Sequence, residues 1–134
     1  MRHLTRSFAE GTLRRGREVE QLLEAFEEDG RRGLRWASIS PATRFHGFIV
    51  RLHVVEDLDD TYRLTVDEYL SFHETDEEDF GQTIGETESA QAAIDLANRE
   101  LGADPTRWVN QGVLQDEYND YLKQGRPLGR WQPS

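Results

Sequence analysis

The chain has 134 residues, 36% hydrophobic and 31% charged, no cysteine, and a formal net charge of −10. That is the length of one domain. It excludes disulfides, thiolate chemistry and zinc–thiolate sites, and the acidity argues against general nucleic-acid binding, which depends on neutralising phosphates. No apolar run approaches the ~18 residues that would span a bilayer. The start, MRHLTRSFAEG, has arginines but no apolar segment, so no secretory leader is expected and a reducing cytoplasm fits. Fifteen of the sixteen basic residues are arginine, a bias of GC-rich bacterial coding. Residues 1–35 hold eight arginines against seven acids, and residues 36–134 hold eight basic residues against nineteen acids. The acidity therefore belongs to the body of the chain.

Residues 1–16, with Gly11, Gly16 and arginines at 2, 6, 14 and 15, offer little to pack and read as a flexible basic arm. In REVEQLLEAFEEDG, Val19, Leu22, Leu23 and Phe26 fall at i, i+3, i+4 and i+7, which predicts a helix over about 17–29 with Gly30 as its cap. LRWASIS (34–40), FHGFIVRLHVV (45–55) and TYRLTVDEYLSFH (61–73) are strand-like. In the second, Phe48, Val50, Leu52 and Val54 share a face. In the third, Tyr62, Leu64, Val66, Leu70 and Phe72 do, with Glu68 an intruder. The turn-rich 56–60 linker joins them into a meander. GQTIGE is either an edge strand or loop. Thr87 is a plausible N-cap for a helix whose face is Ala90, Ala93, Ile94, Ala97 and Leu101, ended by Gly102. RWVNQG is briefly extended. LQDEYNDYLKQG predicts a last helix with Leu114, Tyr118, Tyr121 and Leu122 as its stripe and Gly125 as its cap. The tail 126–134 is irregular, with Trp131 either docked or exposed. The expected fold is α+β: a three- to four-stranded antiparallel meander, one helix before it and two after, packed on one sheet face, within a single domain at 17–125.

Motifs for catalysis are missing: no GxSxG, P-loop, Rossmann glycine pattern or HExxH occurs. His46 and His53 are seven apart and point to opposite strand faces, so a shared metal is not expected. Asp57, Asp59 and Glu68 match positions 1, 3 and 12 of a calcium loop, but Tyr62 stands where that loop needs glycine. Neither metal nor cofactor is expected. Glu68 and His73 are the two titratable residues with a conceivable chemical role, Glu68 because burial on an apolar face would raise its pKa. Tyr69, on the wetter strand face, reads either as a partner anchor or as packing under the last helix.

What remains is charge. Glu74, Asp76, Glu77, Glu78 and Asp79 place five carboxylates in six positions, and residues 56, 57, 59 and 60 add four more. On the meander these segments would lie at opposite ends of the sheet. Such a field speeds association with a basic partner. The expected function is a non-enzymatic acidic protein-binding domain, such as an inhibitor or immunity-type protein that blocks a basic nucleic-acid-acting toxin or enzyme. Its expected contacts are Glu74, Asp76, Glu77, Glu78 and Asp79, with Tyr118, Asp120 and Tyr121 as a second set. The alternative is an accessory subunit of a bacterial or phage assembly, docking through its basic N-terminal arm and its C-terminal tail. In that reading the arm could touch nucleic acid or an acidic neighbour.

Overall fold

The computed structural model of the protein describes residues 2–43, 46–59, 65–72 and 81–133. In chain order it contains helix α1 (Arg6–Arg14) and strands β1 (Val19–Glu28), β2 (Arg31–Pro41) and β3 (Phe48–Glu56). A 3-10 turn (Val66–Glu68), strand β4 (Gln82–Thr87) and helix α2 (Ala90–Leu101) follow. Strand β5 (Val109–Asn110), helix α3 (Leu114–Lys123) and strand β6 (Gly129–Arg130) complete it. The strands form one antiparallel sheet in the order β4-β3-β2-β1-β5, with β6 also paired to β1. The α+β class holds and one helix precedes the sheet. The sheet has six strands, however, rather than a three- or four-stranded meander.

The main correction is at 17–29, which is strand β1 and not a helix. Two effects produce the helical spacing. Both faces of β1 are covered, so its burial does not alternate. A bulge between Leu22 and Glu24 then slips the phase of the strand. Val19 and Leu23 accordingly face one core, and Leu22 and Ala25 face the other. Glu28 pairs with Arg31, which makes Asp29-Gly30 a two-residue hairpin loop with φ of 54° and 76°. Asp-Gly suits that geometry because both positions need positive φ.

The first sixteen residues are not an arm. Thr5 caps α1 by accepting the Phe8 N–H, and Ala9 and Leu13 are fully buried in the core. The Leu4 N–H bonds the Trp108 carbonyl, and Arg6 pairs with Asp95 of α2. The glycines and arginines lie off the narrow buried stripe, which consists of Ala9, Thr12 and Leu13.

Most of the expected third strand is also corrected. Of 61–73, residues 61–64 and 73 lie outside the described residues. Residues 65–72 carry the 3-10 turn, closed by a capping box between Thr65 and Glu68, and one bridge from Ser71 to Val55. The strand along β3 is instead β4, the GQTIGE stretch. Helix α2 falls where its small-residue face predicted, capped by Ser89 rather than Thr87 and ended by Gly102 at φ 67°. Gly85 lets α2 lie close to β4, since a Cβ there would come within 2.7 Å of Leu96.

The helices do not share one sheet face. Helices α1 and α2 cover Ala37, Ile39 and Val50. Helix α3, with Val66, Tyr69 and Trp131, covers Leu34, Trp36 and Val55 on the other side. The division follows from β2, where buried residues run nearly unbroken from Gly33 to Ile39. No helix among the described residues is long and apolar enough to cross a membrane.

Candidate functional site

Two acidic stretches of the described residues reach one end of the sheet, and the flanks of a third lie beside them. The β1–β2 turn brings Glu27, Glu28 and Asp29, all exposed. Strand β3 ends beside it: Glu56 is the register partner of Gly33, and the Asp57 N–H bonds the Arg32 carbonyl. Asp59 follows, exposed. The third stretch is 73–80, which includes His73, Glu74, Asp76, Glu77, Glu78 and Asp79. It lies outside the described residues, but its flanks are clear. The Phe72 N–H bonds the Val54 carbonyl, Gly81 lies against the His53 ring, and Gln82 pairs with Leu52. Ser71, Phe72 and then 81–87 thus follow β3 as one interrupted edge. Those flanks lie beside residues 53–54, two or three positions from Glu56. The expected placement of 74–79 itself lies outside the described residues, but the hairpin it was built on is corrected, because residues 65–72 do not run back along β3 as a full strand.

Apolar side chains accompany this charge. Four large hydrophobic residues are exposed among the described ones. Two of them, Leu58 and Leu70 (69% exposed), border the acidic end. The Leu70 carbonyl accepts the Glu56 N–H, which fixes its position. Arg31 is the local counter-charge, bridging Glu56 and lying 4.3 Å over the Phe72 ring. The chain matches no protein-family model, no curated protein and no solved structure.

The second set of expected contacts does not form a surface. Tyr118 and Tyr121 are core residues of α3, 0% and 1% exposed. The Tyr118 hydroxyl donates to Asp57, and the Tyr121 hydroxyl accepts from Arg32 at 2.8 Å. Asp120 is half-buried and pairs with Arg2. Tyr69 is buried too, edge-on to Tyr118 at 5.5 Å, which is packing under α3. Asp57 is fully shielded: Arg126 grips it through Nε and Nη2 at 3.1 and 2.9 Å. It therefore adds no charge to the acidic end.

Glu68 is corrected as well. It is exposed and accepts the Thr65 N–H and hydroxyl at 3.0 and 2.8 Å, which lowers its pKa rather than raising it. His46 is exposed before β3. No cluster of three or more metal-ligating side chains occurs among the described residues.

A polar row under α3 was not singled out from the sequence. Register aligns Glu20, Ser38 and Arg51 across β1, β2 and β3, and Leu22, Trp36 and His53 beside them. Ser38 Oγ and His53 Nε2 are 2.9 Å apart, and the His53 ring stacks on Trp36 at 3.7 Å. Burial, helped by Arg51, pushes the His53 pKa down to about 4, so the ring is neutral near pH 7. Glu20 accepts the Gly112 N–H at 2.9 Å just before α3, whose N-cap residue, Val113, has no side-chain acceptor. Burial pushes the Glu20 carboxyl up to about 7. Ser38 is 2% exposed, so its hydroxyl is closed to a substrate despite the histidine beside it. The pairing of the three strands was the missing signal, since Glu20, Ser38 and Arg51 are 13 to 31 positions apart in sequence.

Proposed function

We propose that the protein is a non-enzymatic binding domain that uses the acidic end of its sheet to engage a basic protein. It would act as an inhibitor or immunity-type protein that covers the phosphate-binding surface of a nucleic-acid-acting toxin or enzyme. The observation that carries this reading is the convergence of exposed Glu27, Glu28, Asp29 and Asp59, with half-buried Glu56, around Leu58 and Leu70. Apolar residues ringed by charge are the usual anatomy of a protein interface. The charge steers the encounter and the leucines supply contact area that salt does not screen. The accessory-subunit alternative is weakened because both of its docking segments are used by the fold: α1 is core, and Trp131 is buried.

The test is capture of partners from native lysate by the tagged protein at low and high salt, with Glu27→Lys and Leu70→Ala variants alongside. A basic protein that is retained at low salt, weakened at high salt and lost with either variant supports the reading. A partner unaffected by both variants, or no partner at either salt, overturns it.

A further inference from the structure

A second site lies on the other edge of the sheet. Strand β1 is covered there by two very short strands. Strand β5 pairs with Val19 and Glu20, and β6 pairs with Glu24 and Ala25. Between them Gln21 and Leu22 have no ladder partner among the described residues, and the Leu23 carbonyl accepts the Trp131 N–H at 3.0 Å. The gap is roughly 7 Å long at the rise of a strand, too short to receive another strand. It opens into a cavity of about 340 Å³, at the lower end of the range that holds small ligands.

The cavity walls come from two segments. One is the end of α2 with the turn 103–107, and the other is the tail 130–132. Each contributes an arginine, Arg107 and Arg130, and Asp104 is the one carboxylate in the lining. In a chain of net charge −10 this lining is net positive. The carboxylate is already engaged: Asp104 Oδ1 accepts the Thr106 N–H and hydroxyl at 2.8 and 2.7 Å. Arg130 donates to the Gly102 and Leu101 carbonyls and so neutralises the negative end of α2. Arg107 is held more loosely, with Nε 3.5 Å from Asp104 Oδ2 and Nη1 3.5 Å from the Trp131 carbonyl. Its Nη2 has no partner among the described residues. Gln21, buried and bonded twice to the Asp104 backbone at 2.9 and 2.8 Å, fixes the turn that carries Arg107. The surface facing the cavity is polar, since Leu22, Leu23 and Ala103 turn their side chains into the two cores.

We infer that this cavity binds a small organic anion, with its carboxylate or phosphate on Arg107. An arginine stays charged at any relevant pH and presents two parallel donors to either head group. The reading does not depend on the acidic end or on its partner.

Titration with benzoate and with phenyl phosphate, followed by backbone amide shifts, tests it. The expected result is saturable movement confined to residues 102–108 and 130–132. Arg107→Gln should bind about tenfold more weakly, the loss of one charge-assisted hydrogen bond. The probe preferred distinguishes a carboxylate from a phosphate ligand. Unchanged amide shifts elsewhere show that the variant is folded. No saturable shift with either probe, or equal binding by Arg107→Gln, overturns the inference.

Discussion

Glu20 and His53 stand on adjacent rows of one sheet face and titrate in opposite senses. The Glu20 carboxyl is raised from 4.5 to about 7, first by burial, with Glu18 and Asp67 adding to it. Between these pH values the folded chain holds a proton that the unfolded chain has released, so stability falls as pH rises through 7. The effect is on the order of 3 kcal/mol. His53 is depressed from 6.5 to about 4, so its stabilisation is complete above 6.5 and is lost as pH falls towards 4. The two slopes oppose each other between about pH 4.5 and 6.5, and the protein should show a broad plateau there. Urea denaturation from pH 4 to 8 separates them. Glu20→Gln should remove the loss near neutral pH and leave stability rising with pH through 4–6.5. His53→Gln, which still bonds Ser38, should leave only the decline between about 4.5 and 7. If neither variant changes the profile, the polar row does not titrate in this range.

At the scale of the element, β1 depends on its bulge and on the contact just beyond it. Gly33 is the register partner of Phe26, and a Cβ at Gly33 would lie 2.2 Å from that ring. The ring cannot easily yield, since Phe72 meets it edge-on at 4.8 Å and the Arg35 guanidinium lies 4.4 Å over it. Gly33→Ala should therefore destabilise by about 1–3 kcal/mol, and by less in a Phe26→Leu background. Equal losses in both backgrounds, by chemical denaturation, would rule out this contact as the cause. The same strand explains what was legible in the sequence. Strand β3 and helices α2 and α3 each keep one period from end to end, so their positions could be read directly. Strand β1 loses its period because two cores compete for its side chains and the bulge shifts the phase. Its clearest signal was Asp29-Gly30, a hairpin pair that reads equally well as the end of a helix. The Thr65–Glu68 capping box has the spacing of a helix start, which the alternation of 61–73 hides. Within the candidate site the charge was legible. Tyr118 and Tyr121 could be read both as the packing stripe of α3 and as partner contacts, and their burial keeps the first.

Across the whole molecule, the two ends of the chain meet at α3. Glu117, 3% exposed, accepts from the Trp131 indole at 3.0 Å and bonds His3, with Arg2 nearby. This closes the fold around both sheet faces, away from the acidic end. If that end is for binding and not for folding, residues 73–80 can be removed at little cost to stability. A variant joining Phe72 to Gly81 should melt within a few degrees of the full chain, since loop closure depends only weakly on length, and should lose most of its affinity for the basic partner. A melting point lower by tens of degrees would instead make the segment part of the core. Phe72 and Gly81 sit at successive positions beside β3, so chains of different length and charge can join them without altering the ladder. Related sequences could exchange this one segment wholesale, acquiring new partners while every strand and helix stayed in place.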